Sequence, residues 1–253
     1  MGVGEVKKIF KEGLSVNALK YIAITAMLID HIDIAFIPED MTVYLVFDII
    51  GRITGPIMFF CAVEGYHHTK SLKKYIFRLF IFAIISYIPF MYAWRDTFNI
   101  LRLNIIFNIL LGVLAVHTRR TVKNVFLKAI IIYLLMIISI PADYGELCII
   151  IMLVFDFYYG NLKNQLAGYF LVIVLNLGLL DFFAGPFWNL VYDGNFKFYN
   201  DYYWIGYLLP FMLLLFYNGK HGSSDKFSKW IFYIFYPLHL CVIWIVRVFI
   251  LNI

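Results

Sequence analysis

Apolar runs of about 16 to 25 residues, separated by short polar stretches, repeat along the whole of the 253-residue chain. A helix rises about 1.5 Å per residue, so about 20 such residues cross the hydrocarbon of a bilayer. Nine runs fit, at 19–37, 42–66, 74–92, 100–117, 125–140, 145–160, 162–182, 202–217 and 227–251. None shows the two-residue alternation of an outer-membrane barrel strand. The pattern predicts an all-α polytopic transmembrane helix bundle of about nine spans. With short connections and no linker, repeat or low-complexity tract, residues 1–253 read as a single domain.

Charge gives the bundle a direction. If the nine spans alternate, sixteen of the 21 Lys and Arg residues fall on one side, in the amino-terminal segment and the loops after every second span. The opposite loops hold Glu39, Asp40, Asp96, Asp143, Glu146, Asp181, Asp193 and Asp201. Basic loops stay cytoplasmic, so the amino terminus is expected in the cytoplasm and the chain in the cell membrane as a multi-pass protein. Residues 1–20 mix Lys7, Lys8 and Lys11 with Glu5 and Glu12, unlike a cleavable signal. The aromatic external segment 184–201, with Pro186 and Trp188, reads as a lid or as a belt at the headgroups.

Composition agrees. The chain is 63% hydrophobic and only 15% charged, against about 25% charged for a soluble domain. The lipid bilayer is thus an expected partner. No basic patch is interleaved with aromatics, so nucleic acid is not. Cys61, Cys148 and Cys241 lie in three different spans and form no C-x-x-C pair, which makes them small core fillers.

The chemistry is carried by polar groups at membrane depth. The first span holds Asp30, His31 and Asp33, and an Asp near a span's centre costs roughly 2.5–3.5 kcal/mol on insertion. His31 lies about 18 Å from the inner end of its span, Arg52 about 15 Å from the outer end of the second, and His239 about 18 Å from the start of the last. All three are expected near the midplane. Arg52 needs an acid, and Asp30, Asp33 or Asp48 is at a reachable depth; it is either a packing ion pair or part of the chemistry. His31 has the character of a general base, and Asp30, about 100° round the helix, need not be what orients it. Pro237, two residues before His239, is expected to kink the last span.

At the inner end of the second span, Glu64 pairs with His67 or His68 at helical spacing. That spacing invites a metal, but without a second such helix no metal is expected. Ser86, Asn104, Asn108, Asp156 and Asn176 either line a cavity or hydrogen-bond helix to helix.

Four ordered blocks, LKYIAITAMLIDHI, GRITGPIMFFCAVEGYHHT, KKYIFRLFIFAIISYIPF and KWIFYIFYPLHL, resemble those of the TraX family, named for the conjugal-transfer protein associated with amino-terminal acetylation of pilin. The likeness covers most of the first ninety residues and the last thirty. Asp33 stands where the family's pattern has Gly. The ten residues between Lys20 and His31 are also similar to the basic-x10-His opening of acyltransferase-3 type enzymes.

The resemblance implies acyl-CoA, most simply acetyl-CoA, as donor substrate, with His31 as base and Arg52, Glu64 and His239 at motif positions. The acceptor would be an amine or hydroxyl on a peptide, glycan or small molecule. The expected catalytic set is His31, Asp30, Arg52 and His239, with Arg52 or His239 facing the thioester oxyanion. CoA is polyanionic, so its phosphates would meet Lys73, Lys74, Arg78 and Arg119 at the inner rim, beside Lys70 and Arg120, with Glu64 counted in the cofactor-binding set through its motif position. A proton-coupled secondary transporter using the same intramembrane Asp, His and Arg is the alternative.

Overall fold

The structure, a computed structural model, describes residues 12–38, 41–93, 102–176, 202–222 and 226–251, and the side chains of 202–204 and 226–229 are outside that description. The basic segment before residue 12, the aromatic segment 184–201 and the side chain of Asn176 therefore lie outside the described residues. Among the described residues ten α-helices follow one another: α1 Val16–Phe36, α2 Thr42–Gly51, α3 Thr54–His68, α4 Leu72–Ala93, α5 Ile105–Thr121, α6 Val125–Ser139, α7 Gly145–Phe157, α8 Leu162–Asn176, α9 Leu208–Leu215 and α10 Lys226–Ile245. A 3-10 turn, Tyr202–Tyr207, precedes α9, and a π-helical turn, Val246–Leu251, continues α10. No strand occurs among the described residues.

Local chemistry sets the helix starts. Ser15 caps α1 by accepting from the Ala18 N–H, and Asn104 and Asn124 cap α5 and α6 in the same way. Among the described residues three stretches are long and apolar enough to cross a membrane, Thr42–His68, Leu72–Ala93 and Trp230–Leu251, with shorter apolar helices at Val125–Ser139, Leu162–Leu175 and Ile205–Leu215. α1 is 21 residues long and carries Lys20, Asp30 and Asp33. The outward faces are greasy: Phe126 is 82% and Phe77 63% exposed. Water would not tolerate such a surface and lipid does.

α1 packs on α2, α3 and α10, α10 lies along α4, and α5 packs on α4, α6 and α7. The second apolar run is not one helix. It breaks after Gly51, so Arg52 and Ile53 sit between α2 and α3. Gly51 is needed there because a Cβ would overlap the Asp30 carboxyl. Gly206 serves the same junction from the 3-10 turn, where a Cβ would lie 2.6 Å from the Ile49 carbonyl oxygen and 2.7 Å from Arg52 Cβ. Gly206→Ala is expected to cost roughly 1–3 kcal/mol, read as a lower thermal midpoint, because the neighbours that must yield include backbone.

Contacts sort the loops to two ends. At one end the Lys220 and His221 carbonyls accept from the Val16 and Asn17 N–H groups, and the α3, α5 and α7 termini meet. At the other, Leu103 pairs with Pro141 and Asp143, Arg102 lies 4.0 Å from Asp143, and the buried Arg247 donates to the Ala93 carbonyl at 2.8 Å. α10 runs through Pro237 as α4 runs through Pro89.

Candidate functional site

His31, on α1, and His239, on α10, are both buried and touch. His31 Nδ1 lies 2.6 Å from His239 Nε2, and the rings stack at 4.8 Å. His239 Nδ1 lies 2.8 Å from the Phe235 carbonyl oxygen. A carbonyl only accepts, so His239 Nδ1 carries a hydrogen. With both rings neutral, His239 Nε2 then accepts from His31 Nδ1–H, and His31 Nε2 is the nitrogen with the basic lone pair. Tyr236 closes the pair, its ring 6.2 Å from His31 and 5.6 Å from His239.

Asp30 points elsewhere: its carboxyl packs over Gly51. Arg52 forms its ion pair with Asp48, one turn earlier, and Asp30, Tyr144 and Tyr207 share its electrostatic surroundings. Asp30 sits next to His31 in the chain and against the α2–α3 break, so the histidine pair and the Arg52 cluster occupy one level of the bundle. Of the three acids considered as partner for Arg52, the close contact goes to Asp48. Asp33 is fully buried, and neither carboxylate oxygen has a hydrogen-bond partner among the described residues. Nothing in the structure explains its presence at that position.

The end of the bundle where the His221 loop meets the start of α1 holds a cavity of about 750 Å³. Lys20, Lys70, Lys74 and Arg78 line it, with Tyr75, Phe232 and Tyr233 among the ring walls and Ile106 and Ile109 beneath. Lys20 lies over the Phe232 ring at 5.2 Å, and the Arg78 guanidinium is 5.9 Å from the Tyr75 and Tyr233 rings. Lys73 is exposed on α4 outside this lining. His239 stands six residues, about 9 Å of helix rise, beyond Tyr233 on the same helix.

Arg119 has a different position from the cavity rim. It donates to Asp156 Oδ2 at 2.6 Å, while Arg120 and His67 reach Oδ1 at 2.7 and 2.9 Å. Asp156 is buried and collects all three, which ties α3, α5 and α7 together. Asn104 and Asn108 are also helix-to-helix bonds, to the Ala83 and Gly145 carbonyls. Glu64 and His67 part company: His67 turns to Asp156, whereas Glu64 lies 3.6 Å from His68 Nδ1.

His221, from the loop before α10, joins Glu64 and His68, its ring edge-on to His68 at 3.9 Å. Burial first, then His68 and Lys20, lower its pKa below the ordinary histidine value. His221, Tyr144, Tyr207 and Tyr236 are site neighbours that sequence pattern did not single out. Only the position of Tyr236 beside Pro237 and His239 offered a signal.

The family model described as TraX protein matches residues 15–247. Among curated proteins, the chain is 32% identical over 244 residues to a probable fimbrial assembly protein FimC, serogroup H1, of Dichelobacter nodosus, covering 91% of this chain and 95% of that protein. No solved structure matches. The match spans all of the described helices that carry the histidine pair, the Arg52 junction and the cavity, and the chain belongs to the TraX family.

Proposed function

We propose that the chain is a multi-pass cell-membrane acyltransferase, amino terminus in the cytoplasm, that moves an acetyl group from acetyl-CoA to an amine or hydroxyl. The observation that carries this reading is the His31–His239–Phe235 hydrogen-bond chain, because it gives His31 Nε2 a basic lone pair in a water-poor interior. His31 takes the acceptor's proton as the acceptor attacks the thioester carbonyl carbon. The tetrahedral intermediate then expels CoA as the C–S bond breaks, and the proton passes from His31 to the departing thiolate. Arg52 supplies positive charge for the oxyanion. His239, with both ring nitrogens engaged, orients His31 and shares the charge of its imidazolium.

The basic cavity supports a polyanionic donor entering from the cytoplasmic side, with phosphates at Lys70, Lys74 and Arg78 and the acyl arm directed toward His239. Fimbrial assembly, the role in the name of the 32% identical relative, makes a subunit of a surface fibre a candidate acceptor.

Acetyl-labelled acetyl-CoA supplied to purified protein with fibre-subunit peptides tests the reading: label is expected in the acceptor, and none in repeated trials overturns it. Exchanging the exposed Lys70 and Lys74 for Gln is expected to raise the KM for acetyl-CoA about tenfold with kcat unchanged, an effect that shrinks as salt rises. The helix break at Arg52 is also a device of transporters; that reading predicts proton-driven flux in liposomes and no affinity for CoA.

A further inference from the structure

Glu64 and His68 lie one turn apart at the end of α3, and His221 arrives from a loop that sequence spacing does not connect to them. One ligand atom from each residue falls within 4.8 Å of the other two. We propose that Glu64, His68 and His221 bind a divalent transition-metal ion, of which zinc best suits two imidazoles and one carboxylate. The assignment uses neither the His31–His239 pair nor the Lys70, Lys74 and Arg78 side chains of the acyl-transfer reading, and it stands or falls without that reading.

Three features fit a ligand set more than a chance cluster. The His68 Nδ1–H donates to the Glu64 carbonyl oxygen at 2.9 Å, which leaves Nε2 with the lone pair a metal needs. His221 Nε2 is buried and has no hydrogen-bond partner among the described residues. Glu64 is itself buried and takes a hydrogen bond from Tyr217, an outer support of the kind that orients ligating carboxylates.

The third ligand is also held in place. The Asn218–Leu14, Val16–Lys220 and Asn17–His221 backbone bonds fasten its loop to the start of α1, and Gly219 and Gly222 turn it with φ of 74° and 82°. Zinc bonds of about 2.0–2.1 Å place tetrahedral ligands roughly 3.4 Å apart, so from separations within 4.8 Å the set must close by at most about 1.4 Å, within reach of side-chain torsions. Lys20 faces His221 and opposes a cation; the Glu64 carboxylate offsets it. His68 and His221 both line the cavity, so the fourth position opens toward it and accepts an oxygen donor such as water or a phosphate.

The test is equilibrium dialysis of chelator-stripped, purified full-length protein against Zn²⁺, with thermal unfolding in parallel. Wild type is expected to bind one Zn²⁺ per chain, with a midpoint that rises as Zn²⁺ is added. His221→Gln and Glu64→Gln are expected to lose at least tenfold in affinity, and His221→Cys, which restores a zinc donor, to regain it. His117→Gln, a histidine at the same end bonded to Tyr66 at 3.2 Å, should bind as wild type. No zinc on wild type, wild-type affinity in His221→Gln, or no recovery in His221→Cys overturns the assignment.

Discussion

His31→Ala is expected to slow acetyl transfer by roughly 10²–10⁴-fold, the usual contribution of a positioned general base, while donor affinity stays unchanged. The separation of the two effects follows from position. His31 belongs to the buried pair with His239, whereas the groups suited to phosphates line the cavity at the His221 end of the bundle. His239→Gln should lose less, because the amide can still accept from His31 Nδ1–H yet cannot share an imidazolium's charge. The checks are kcat and KM for acetyl-CoA with a fixed acceptor. An alanine at His31 that raised KM alone would place the residue in donor binding.

Asp156→Ala is expected to produce the largest loss of stability, about 3 kcal/mol. Asp156 has a side chain with no exposure and binds Arg119, Arg120 and His67 together. Removing it takes the counter-charge from two guanidinium groups, although Arg119 keeps the Phe157 ring at 4.9 Å. Both arginines keep some access to water, at 26% and 38% exposed, which holds the cost at the lower end of the range for a broken buried pair. Asp156→Asn should lose less, since it keeps an acceptor oxygen. Thermal or denaturant unfolding in detergent distinguishes the two variants, and equal midpoints for Asp156→Ala and wild type would show that the three basic groups find other partners.

Hydropathy alone made the all-helical character legible, because apolar runs of this length have few other folds. The break after Gly51 was not legible: Asp48-Ile-Ile-Gly-Arg-Ile is apolar enough to read as continuous span, and the Asp30 carboxyl packing over Gly51, which explains the glycine there, is a contact between two helices that no single run displays. Helix rise put His31, Arg52 and His239 at one depth but says nothing of rotation. It is rotation that brings His31 to His239 and leaves Arg52 with Asp48.

Similar limits applied at the end of α3. Glu64, His67 and His68 have the spacing of one cluster, yet Asp156, 89 positions further along the chain, draws His67 away. His221 carries no periodic signal because it sits in a turn. Its placement depends on the loop's backbone bonds to α1, which no pattern of side chains announces. Arg119 read as part of a basic rim because charge counting records the sign of a loop and not the buried acid beside it.

The central claim is that the His31–His239 pair performs acyl transfer as a unit. Single-turnover transfer of label from pre-bound acetyl-CoA, measured for wild type, His31→Ala, His239→Gln and the double variant, tests it most directly. The account predicts transfer by wild type, a loss of roughly 10²-fold or more in His31→Ala, and a double variant no slower than His31→Ala alone. Losses that multiply in the double variant, or His31→Ala transferring at the wild-type rate, would contradict it.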